Sequence, residues 1–149
     1  MLTTTYQSPI GPLYLAELDG AITHLKYSPV AGQAGESPLL HEAIRQLDAY
    51  FSGSLTQFDL PLVPSGTLFQ MRVWQSLQDI PYGTTWSYKM LAQSVDSPKG
   101  YRAVGLANNR NPISIFIPCH RVIGASGSLT GYGGGLPIKS YLLELEDGL

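Results

Sequence analysis

The sequence holds a single cysteine, few charged residues and no long apolar run. One cysteine excludes an internal disulfide and any zinc site built from several cysteines. It fits a reducing compartment, where a free thiol persists, so we expect a cytoplasmic protein. No lysine or arginine precedes Lys26, and no stretch approaches the roughly 20 apolar residues needed to cross a bilayer. We therefore expect neither a signal peptide nor an association with membranes.

Charge is scarce and unevenly placed. Only 13% of the 149 residues are charged and 44% are hydrophobic, which is typical of a folded chain rather than a disordered one. Residues 1–65 carry two basic and six acidic side chains, whereas residues 66–149 carry seven basic and five acidic. The net charge of −2 is unusual for a nucleic-acid-binding protein. The basic excess of the second part is compatible with phosphate contact on one face, but taken alone it is better explained as ordinary surface charge.

The single cysteine stands in the run Ile117-Pro118-Cys119-His120-Arg121-Val122. The apolar residues between positions 113 and 117 predict a buried strand that ends at Pro118, because proline donates no ladder hydrogen bond. A thiol beside an imidazole, at the end of a rigid element, is typical of an activated nucleophile. A buried structural cysteine is the alternative, and for this pair taken alone it is the commoner case.

The first 65 residues predict a small sheet followed by a helix. Two apolar runs flank Asp19-Gly20, a two-residue link typical of a type I′ hairpin. Ser37 and Pro38 mark a helix start, and Gly53 marks its end. The apolar stripe expected to face the core consists of Leu40, Ala43, Ile44, Leu47 and Phe51. The proline-rich stretch 58–66 predicts a boundary, which divides the chain into units 1–65 and 66–149.

The second unit predicts several short helices. Thr67 and Gln70 form a capping box that opens the first of them. Ser87 caps the second, and after a tight link the third begins with Ser97 as its cap and Pro98 at its first position. Two short helices joined by so brief a link favour a helix-turn-helix. A closing helix is predicted from Pro137 to Glu146, with four apolar side chains inward: Ile138, Tyr141, Leu142 and Leu145.

The third helix is unusually rich in small residues. Its glycines and alanines allow close approach of another surface, which is either a neighbouring helix or a nucleic-acid groove. Basic side chains flank this small-residue surface. The residues expected to face DNA are Lys99, Arg102, Ala103 and Arg110, together with Tyr88 from the preceding helix.

The motifs around the cysteine, taken together, resemble those of a known protein family. The run 117–122, preceded by Arg102-Ala103-Val104-Gly105 and Asn111-Pro112, resembles the O6-alkylguanine-DNA alkyltransferases, also called methylated-DNA–protein-cysteine methyltransferases. Segments 58–62, 66–70 and 80–84 are also similar to that family. The resemblance is strong over roughly the last 90 residues and looser before them.

The resemblance implies an α+β fold. A small N-terminal ribonuclease-H-like α/β domain is expected to pack on a C-terminal helix-turn-helix, winged-helix-like alkyltransferase domain. The implied reaction moves an alkyl group from O6 of guanine in double-stranded DNA to Cys119. The resemblance leaves open whether O4 of alkylated thymine is a second substrate. The cysteine is not regenerated, so each molecule acts once. The resemblance further implies no cofactor, no metal, no obligate protein partner and a monomeric protein.

The resemblance also assigns roles at the site. Cys119 is the nucleophile, His120 accepts its proton through a water, and Glu146 orients the imidazole. Tyr88 donates a hydrogen bond to the base. Asn111 is the hinge between recognition helix and cysteine segment.

Base flipping is the next implied step, because the lesion is inaccessible within the duplex. Arg102 is expected to enter the minor groove and fill the gap left by the flipped nucleotide. Tyr132 is expected to form an apolar wall for the alkyl group, and Lys139 to help polarise the base. The full set of expected pocket residues is Val122, Tyr132, Gly133, Gly134, Lys139 and Ser114.

The chain departs from the family at a few positions. Gly133 stands where many members have serine, and little is lost there if the backbone N–H makes the relevant contact. Ser114 replaces a proline of some members, so the pocket is expected to be roomier and to accept bulkier groups. The cysteines of a zinc site found in some N-terminal domains are absent. Two other classes of function remain open: a non-enzymatic lesion sensor, in which the cysteine is normally replaced, and a cysteine hydrolase, for which no oxyanion-hole pattern is present.

Overall fold

The computed structural model describes residues 1–97, 100–129 and 131–147. Four strands form one sheet in the order β3-β2-β1-β4, and two further strands form a short parallel pair. β1 to β3 are antiparallel neighbours, whereas β4 runs parallel to β1. The strands are β1 (Leu2–Ser8), β2 (Gly11–Leu18), β3 (Ala21–Lys26), β4 (Gln33–Ala34), β5 (Trp86–Ser87) and β6 (Val122–Ile123).

Five α-helices and one 3-10 turn complete the described elements. One helix packs on the sheet and the other four belong to the second half of the chain. The helices are α1 (Pro38–Phe51), α2 (Leu68–Leu77), α3 (Tyr88–Ser94), α4 (Tyr101–Asn109) and α5 (Leu136–Glu146), and the 3-10 turn is Cys119–Arg121. The predicted α+β class, with a sheet unit followed by a helical unit, is confirmed.

Most local predictions are confirmed because the signals are short-range. Asp19 and Gly20 have φ angles of 52° and 80°, as the type I′ link between β2 and β3 requires. The side chain of Ser37 accepts a hydrogen bond from the Leu40 amide at the start of α1. Thr67 and Gln70 form the full capping box of α2. The two caps satisfy amides that the first turn of a helix leaves unpaired.

Three other predictions are wrong. α4 begins at Tyr101, with Gly100 as its cap, so Ser97 does not cap it; Pro98 lies outside the described residues. On α1, Gln46 and Tyr50 are buried in place of the predicted Ile44 and Phe51. Gln46 donates to the Asp59 carbonyl, and the Tyr50 hydroxyl donates to the buried Glu146. On α5 the predicted inward residue Tyr141 is exposed, and the buried positions include two charged side chains instead.

A single apolar core joins the two halves of the chain. Leu15 and Ile22 of the sheet belong to the same buried cluster as Trp74 of α2 and Ile117 near the cysteine. The indole Nε1 of Trp74 donates to the Ala107 carbonyl at 2.8 Å, which fixes α2 against α4. No helix of the described ranges is both long and apolar enough to span a bilayer.

The edge strand β3 connects the sheet directly to the cysteine segment. The Leu25 amide donates to the Pro112 carbonyl at 3.0 Å, and the Ser114 amide donates back to Leu25 at 3.0 Å. The Ile22 amide donates to the Pro61 carbonyl at 2.8 Å, and the Val63 amide donates to the Ile22 carbonyl at 2.9 Å. The segment that carries Cys119 is therefore held by backbone hydrogen bonds from the N-terminal half.

Candidate active site

The segment before Cys119 is a hydrogen-bonded loop rather than the predicted strand. The side chain of Asn111 accepts from the Ile113 amide at 2.9 Å and donates to the Ile117 carbonyl at 2.8 Å. The Ile117 amide also donates to the Ile113 carbonyl at 2.9 Å, which closes the chain on itself. Ile115, at the turn, has a φ of 71°, a left-handed value that β-branched residues rarely adopt. Asn111 thus bonds two backbone groups of the segment that do not pair with β3.

Glu146, at the last position of α5, is buried among four hydrogen bonds. The Tyr50 hydroxyl donates to Oε2 at 2.6 Å, and His120 Nε2 lies 2.7 Å from the same oxygen. Arg121 donates through Nε to Oε1 at 2.7 Å and through Nη2 to Oε2 at 3.0 Å. We call Tyr50, His120, Arg121 and Glu146 the Glu146 cluster. A buried carboxylate needs such partners because burial removes its hydration.

The cluster fixes the protonation of its members. Burial alone raises the pKa of Glu146, but hydrogen bonds from His120 and Arg121 outweigh it and hold that pKa well below its usual range. Burial lowers the pKa of His120, and the hydrogen bond to Glu146 does not restore it. His120 is therefore a neutral imidazole that donates its Nε2 proton to an ionised Glu146.

This tautomer leaves the second ring nitrogen of His120 with a lone pair. His120 is fully buried, and its Nδ1 has no hydrogen-bond partner within the described ranges. Nδ1 is consequently the basic atom of the cluster. Because Glu146 stabilises the imidazolium that forms on protonation, Nδ1 is equipped to accept a proton from a neighbouring acid.

Cys119, the adjacent residue, is 4% exposed and opens the 3-10 turn. Burial raises the pKa of its thiol above the usual value. Hydrogen bonding from Asn111 and the charge of Lys139 act in the opposite direction, followed by hydrogen bonding from Ser114 and Tyr132. The thiol is therefore neutral at rest and needs a base to become the nucleophilic thiolate.

A cavity of about 220 Å³ opens at Cys119. It is lined by residues from both halves of the chain: Lys26, Tyr27, Ser28, Asn108, Asn109, Asn111, Ser114, Cys119, Tyr132 and Gly133. We call it the cysteine pocket. Four of its residues (Asn111, Ser114, Tyr132 and Gly133) were predicted beside Cys119 from the sequence.

Lys139 is fully buried on α5 and does not line the cysteine pocket. Its Nζ donates to the Val122 carbonyl at 2.6 Å, which ties α5 to β6. Burial lowers the pKa of Lys139, and the nearby Cys119 acts in the opposite direction. Its predicted part in polarising the base remains a prediction.

The exposed side of α4 lies next to the cysteine pocket. Arg102, Ala103 and Arg110 are exposed, as a DNA-facing surface requires, and Lys99 lies outside the described residues. A second cavity on this side is lined by Tyr88, Tyr101, Arg102, Gly105, Asn109 and Gly131. Asn109 lines both cavities, so the surface of α4 is continuous with the pocket that holds the thiol.

Comparison with known proteins identifies the family of the chain. Residues 68–148 match the DNA-binding domain of 6-O-methylguanine DNA methyltransferase, and residues 1–64 match its ribonuclease-like domain. The chain belongs to the 6-O-methylguanine DNA methyltransferase family. The family expected from the sequence, its two-part fold and its enzymatic class are thereby confirmed, and the lesion-sensor alternative receives no support.

Relatives of this methyltransferase family align over nearly the whole chain. A methylated-DNA–protein-cysteine methyltransferase of Methanosarcina barkeri is 53% identical over 95% of this chain and 94% of its own. One from Mycobacterium leprae is 56% identical over 93% and 88%. Mycobacterium tuberculosis OGT, solved in complex with DNA, superposes with a TM-score of 0.93 at 49% identity, covering 99% and 94% of the two chains.

Several site residues of this methyltransferase were not found from the sequence. The sequence assigns Arg121 no role of its own, yet Arg121 is 7% exposed and bound to Glu146 and the Ile80 carbonyl. Tyr50 and Tyr27 reach the site from the N-terminal half, and no local pattern marks either. Besides Lys139, two other predicted pocket residues, Val122 and Gly134, lie outside the pocket lining. No group of three or more His, Cys, Asp or Glu side chains within the described ranges is suited to hold a metal.

Proposed function

We propose that the protein repairs alkylated DNA by direct reversal, with Cys119 as a stoichiometric acceptor for the alkyl group of O6-alkylguanine. The observation that carries the proposal is the Glu146 cluster, which ends at the free Nδ1 of His120, the residue next to the single thiol. The family match over residues 68–148 and the OGT–DNA complex support double-stranded DNA as the partner.

The chemistry begins with the thiol. Cys119 loses its proton to Nδ1 of His120, and the positive charge of the imidazolium is stabilised by Glu146. A water between the two residues is the proton carrier that the family resemblance implies. The proton transfer converts the buried thiol to the thiolate that the reaction needs.

The thiolate then attacks the alkyl carbon. The new bond joins sulfur to that carbon while the carbon–O6 bond breaks, and its electron pair passes to the guanine ring. Tyr88 supplies the proton that makes the leaving group neutral guanine. The imidazolium then releases the thiol proton to solvent while Tyr88 takes one back from solvent, so that in sum the proton of the thiol replaces the alkyl group on guanine. The products are S-alkylcysteine and restored guanine, so no group remains to regenerate the thiol.

DNA recognition is assigned to the exposed side of α4. Arg102, Ala103 and Arg110 form the contact surface with Lys99, and Arg102 occupies the space of the flipped nucleotide. Asn111 acts as the hinge, because its two hydrogen bonds join the end of α4 to the loop before Cys119. We assign residues 1–65 to the ribonuclease-like unit and 66–149 to the acceptor unit.

The resting protein is proposed to be a cytoplasmic monomer without an obligate partner or cofactor. A nucleophilic free thiol needs a reducing compartment to remain available. Light scattering of the free protein and of its DNA complex measures whether the protein is a monomer. A dimer in the absence of DNA would contradict it.

The decisive experiment is mass spectrometry after incubation with duplex DNA that contains O6-methylguanine. One methyl group on the Cys119 peptide, at no more than one per molecule, is the expected result. Cys119→Ser and an unmodified duplex are the matched controls, and neither should yield an adduct. Turnover beyond one equivalent, or intact wild-type protein without an adduct, would refute the proposal.

A further inference from the structure

Tyr27, directly after β3, belongs to the N-terminal half but lines the cysteine pocket. Its hydroxyl lies 2.6 Å from the hydroxyl of Tyr132, a residue 105 positions later. The two rings meet edge to face, with centroids 5.7 Å apart. No motif in the sequence marks Tyr27, and the proposed chemistry assigns it no part.

Tyr27 is held firmly in this place. Two residues earlier, Leu25 exchanges backbone hydrogen bonds with Pro112 and Ser114 of the cysteine segment. On the other side, a Cβ built on Gly134 would lie 2.8 Å from the Tyr27 ring, so the ring is packed against the backbone after Tyr132. The ring therefore spans the gap between the cysteine segment and the loop that closes the pocket.

The hydrogen bond between the hydroxyls of Tyr27 and Tyr132 has a defined direction when the Cys119 thiolate forms. A neutral tyrosine carries one hydroxyl proton, and hydrogen bonding from Tyr132 favours the thiolate form of Cys119. If that proton points to the sulfur, the Tyr132 oxygen must accept its other hydrogen bond, and Tyr27 is the donor within reach. Burial raises the pKa of Tyr27, so it remains a neutral donor.

We propose that Tyr27 is a positioning and specificity-determining residue of the alkyl pocket. Its hydroxyl holds Tyr132 in the orientation that serves Cys119, and its ring limits the size of the alkyl group that fits beside the sulfur. This inference rests on the proposed alkyl transfer to Cys119. It makes the N-terminal half a part of the pocket rather than only a support for the fold.

The test separates the hydroxyl from the ring. Tyr27→Phe keeps the ring and removes one hydrogen bond, so the maximal single-turnover rate of methyl transfer from duplex DNA should fall about five-fold. The DNA concentration that gives half the maximal rate should stay unchanged, because Tyr27 lies in the pocket and not on α4. Tyr14→Phe, a change in β2 away from the pocket, is the matched control and should leave both quantities unchanged.

Tyr27→Ala removes the ring as well as the hydroxyl. The rate with O6-benzylguanine relative to O6-methylguanine should rise at least about ten-fold over wild type, whereas Tyr27→Phe should keep the wild-type ratio. If the alanine variant does not fold, Tyr27→Leu provides the same comparison with less loss of packing.

Two results would overturn the inference. One is a phenylalanine variant with the wild-type rate, and the other is an alanine or leucine variant that loses both substrates in equal proportion. These outcomes differ from failure of the proposed function, in which wild-type protein itself forms no adduct at Cys119.

Discussion

Cys119 lies between two regions of opposite character. On one side the Glu146 cluster buries an ionised carboxylate and a guanidinium almost completely. On the other side α4 exposes Arg102 and Arg110. Both regions are rich in charge, yet their charges do different things because only one set has lost its water.

The difference explains how the two regions contribute to function. Buried charges interact strongly, so the Glu146 cluster fixes the tautomer of His120 before any substrate arrives. Exposed charges contribute little to stability, which leaves Arg102 available for a partner. Chemistry is thus prepared in the folded state, and recognition is completed only in the complex. If this division is right, substitutions in the two regions should fail in different ways.

The largest expected effect is on stability, from Glu146→Ala. The change leaves Arg121 buried without its carboxylate, so the free energy of unfolding should fall by about 3–5 kcal/mol. Urea unfolding measures the loss. Glu144→Ala, an exposed position two residues earlier on α5, is the matched control and should change it by no more than about 0.5 kcal/mol. Equal losses at the two positions would show that burial of the cluster is not what matters.

A double variant separates stability from chemistry in the same cluster. Replacing both Arg121 and Glu146 by methionine removes the unpaired charge, so much of the stability lost in Glu146→Ala should return. Alkyl transfer should be lost in Glu146→Ala and in the double variant alike, because His120 Nε2 then has no carboxylate to accept its proton. A double variant that recovers both properties would contradict the role given to the carboxylate.

Arg102→Ala should show the opposite pattern. Arg102 is exposed on α4, so the free energy of unfolding should hardly change. Repair of a duplex should slow at least ten-fold, equivalent to about 1.4 kcal/mol, while reaction with free benzylguanine stays at the wild-type rate. Arg45→Ala, an exposed arginine on α1, is the control and should leave both reactions unchanged. Equal slowing on both substrates would remove Arg102 from base flipping.

The contrast between the regions also marks what the sequence could predict. The hairpin at Asp19-Gly20 and the caps of α1 and α2 depend on residues within a few positions, and the sequence contains those signals. The cysteine segment was wrongly predicted as a strand because its apolar run suits either structure. The side chain of Asn111 satisfies the Ile113 amide and the Ile117 carbonyl. The backbone groups that bond to a strand are those of Pro112 and Ser114, at Leu25 of β3.

The candidate site was predictable where motifs carry it and not elsewhere. The resemblance placed Cys119, His120 and Glu146 correctly in one region of space. The contacts of Tyr50 with Glu146 and of Tyr27 with Tyr132 span 96 and 105 residues, and neither periodicity nor spacing reports such pairs. Burial of Arg121 was also missed, because an isolated arginine in a sequence is ordinarily a surface residue.

A pH titration tests the buried region by a smaller effect. Burial holds the pKa of His120 below its usual value, so below about pH 6.5 the unfolded chain binds a proton there that the folded protein does not. Unfolding is then favoured as the pH falls, by at most about 1.4 kcal/mol per pH unit. Urea unfolding from pH 7.5 to 5.5 should show this loss, and His120→Gln should show a shallower slope. Identical slopes would mean that folding does not change the pKa of His120.

The smallest expected effect concerns Gly105 on α4. A Cβ at this position would lie 3.7 Å from the Tyr88 ring, an ordinary contact, so Gly105→Ala should raise the free energy of unfolding by about 0.5–1 kcal/mol. Reaction with free benzylguanine should be unchanged, because Gly105 lies outside the cysteine pocket. Duplex binding should weaken slightly if the α4 surface meets DNA closely, as a titration with labelled duplex would measure. A variant that is more stable but binds the duplex less well would show that the small residue serves recognition and not the fold.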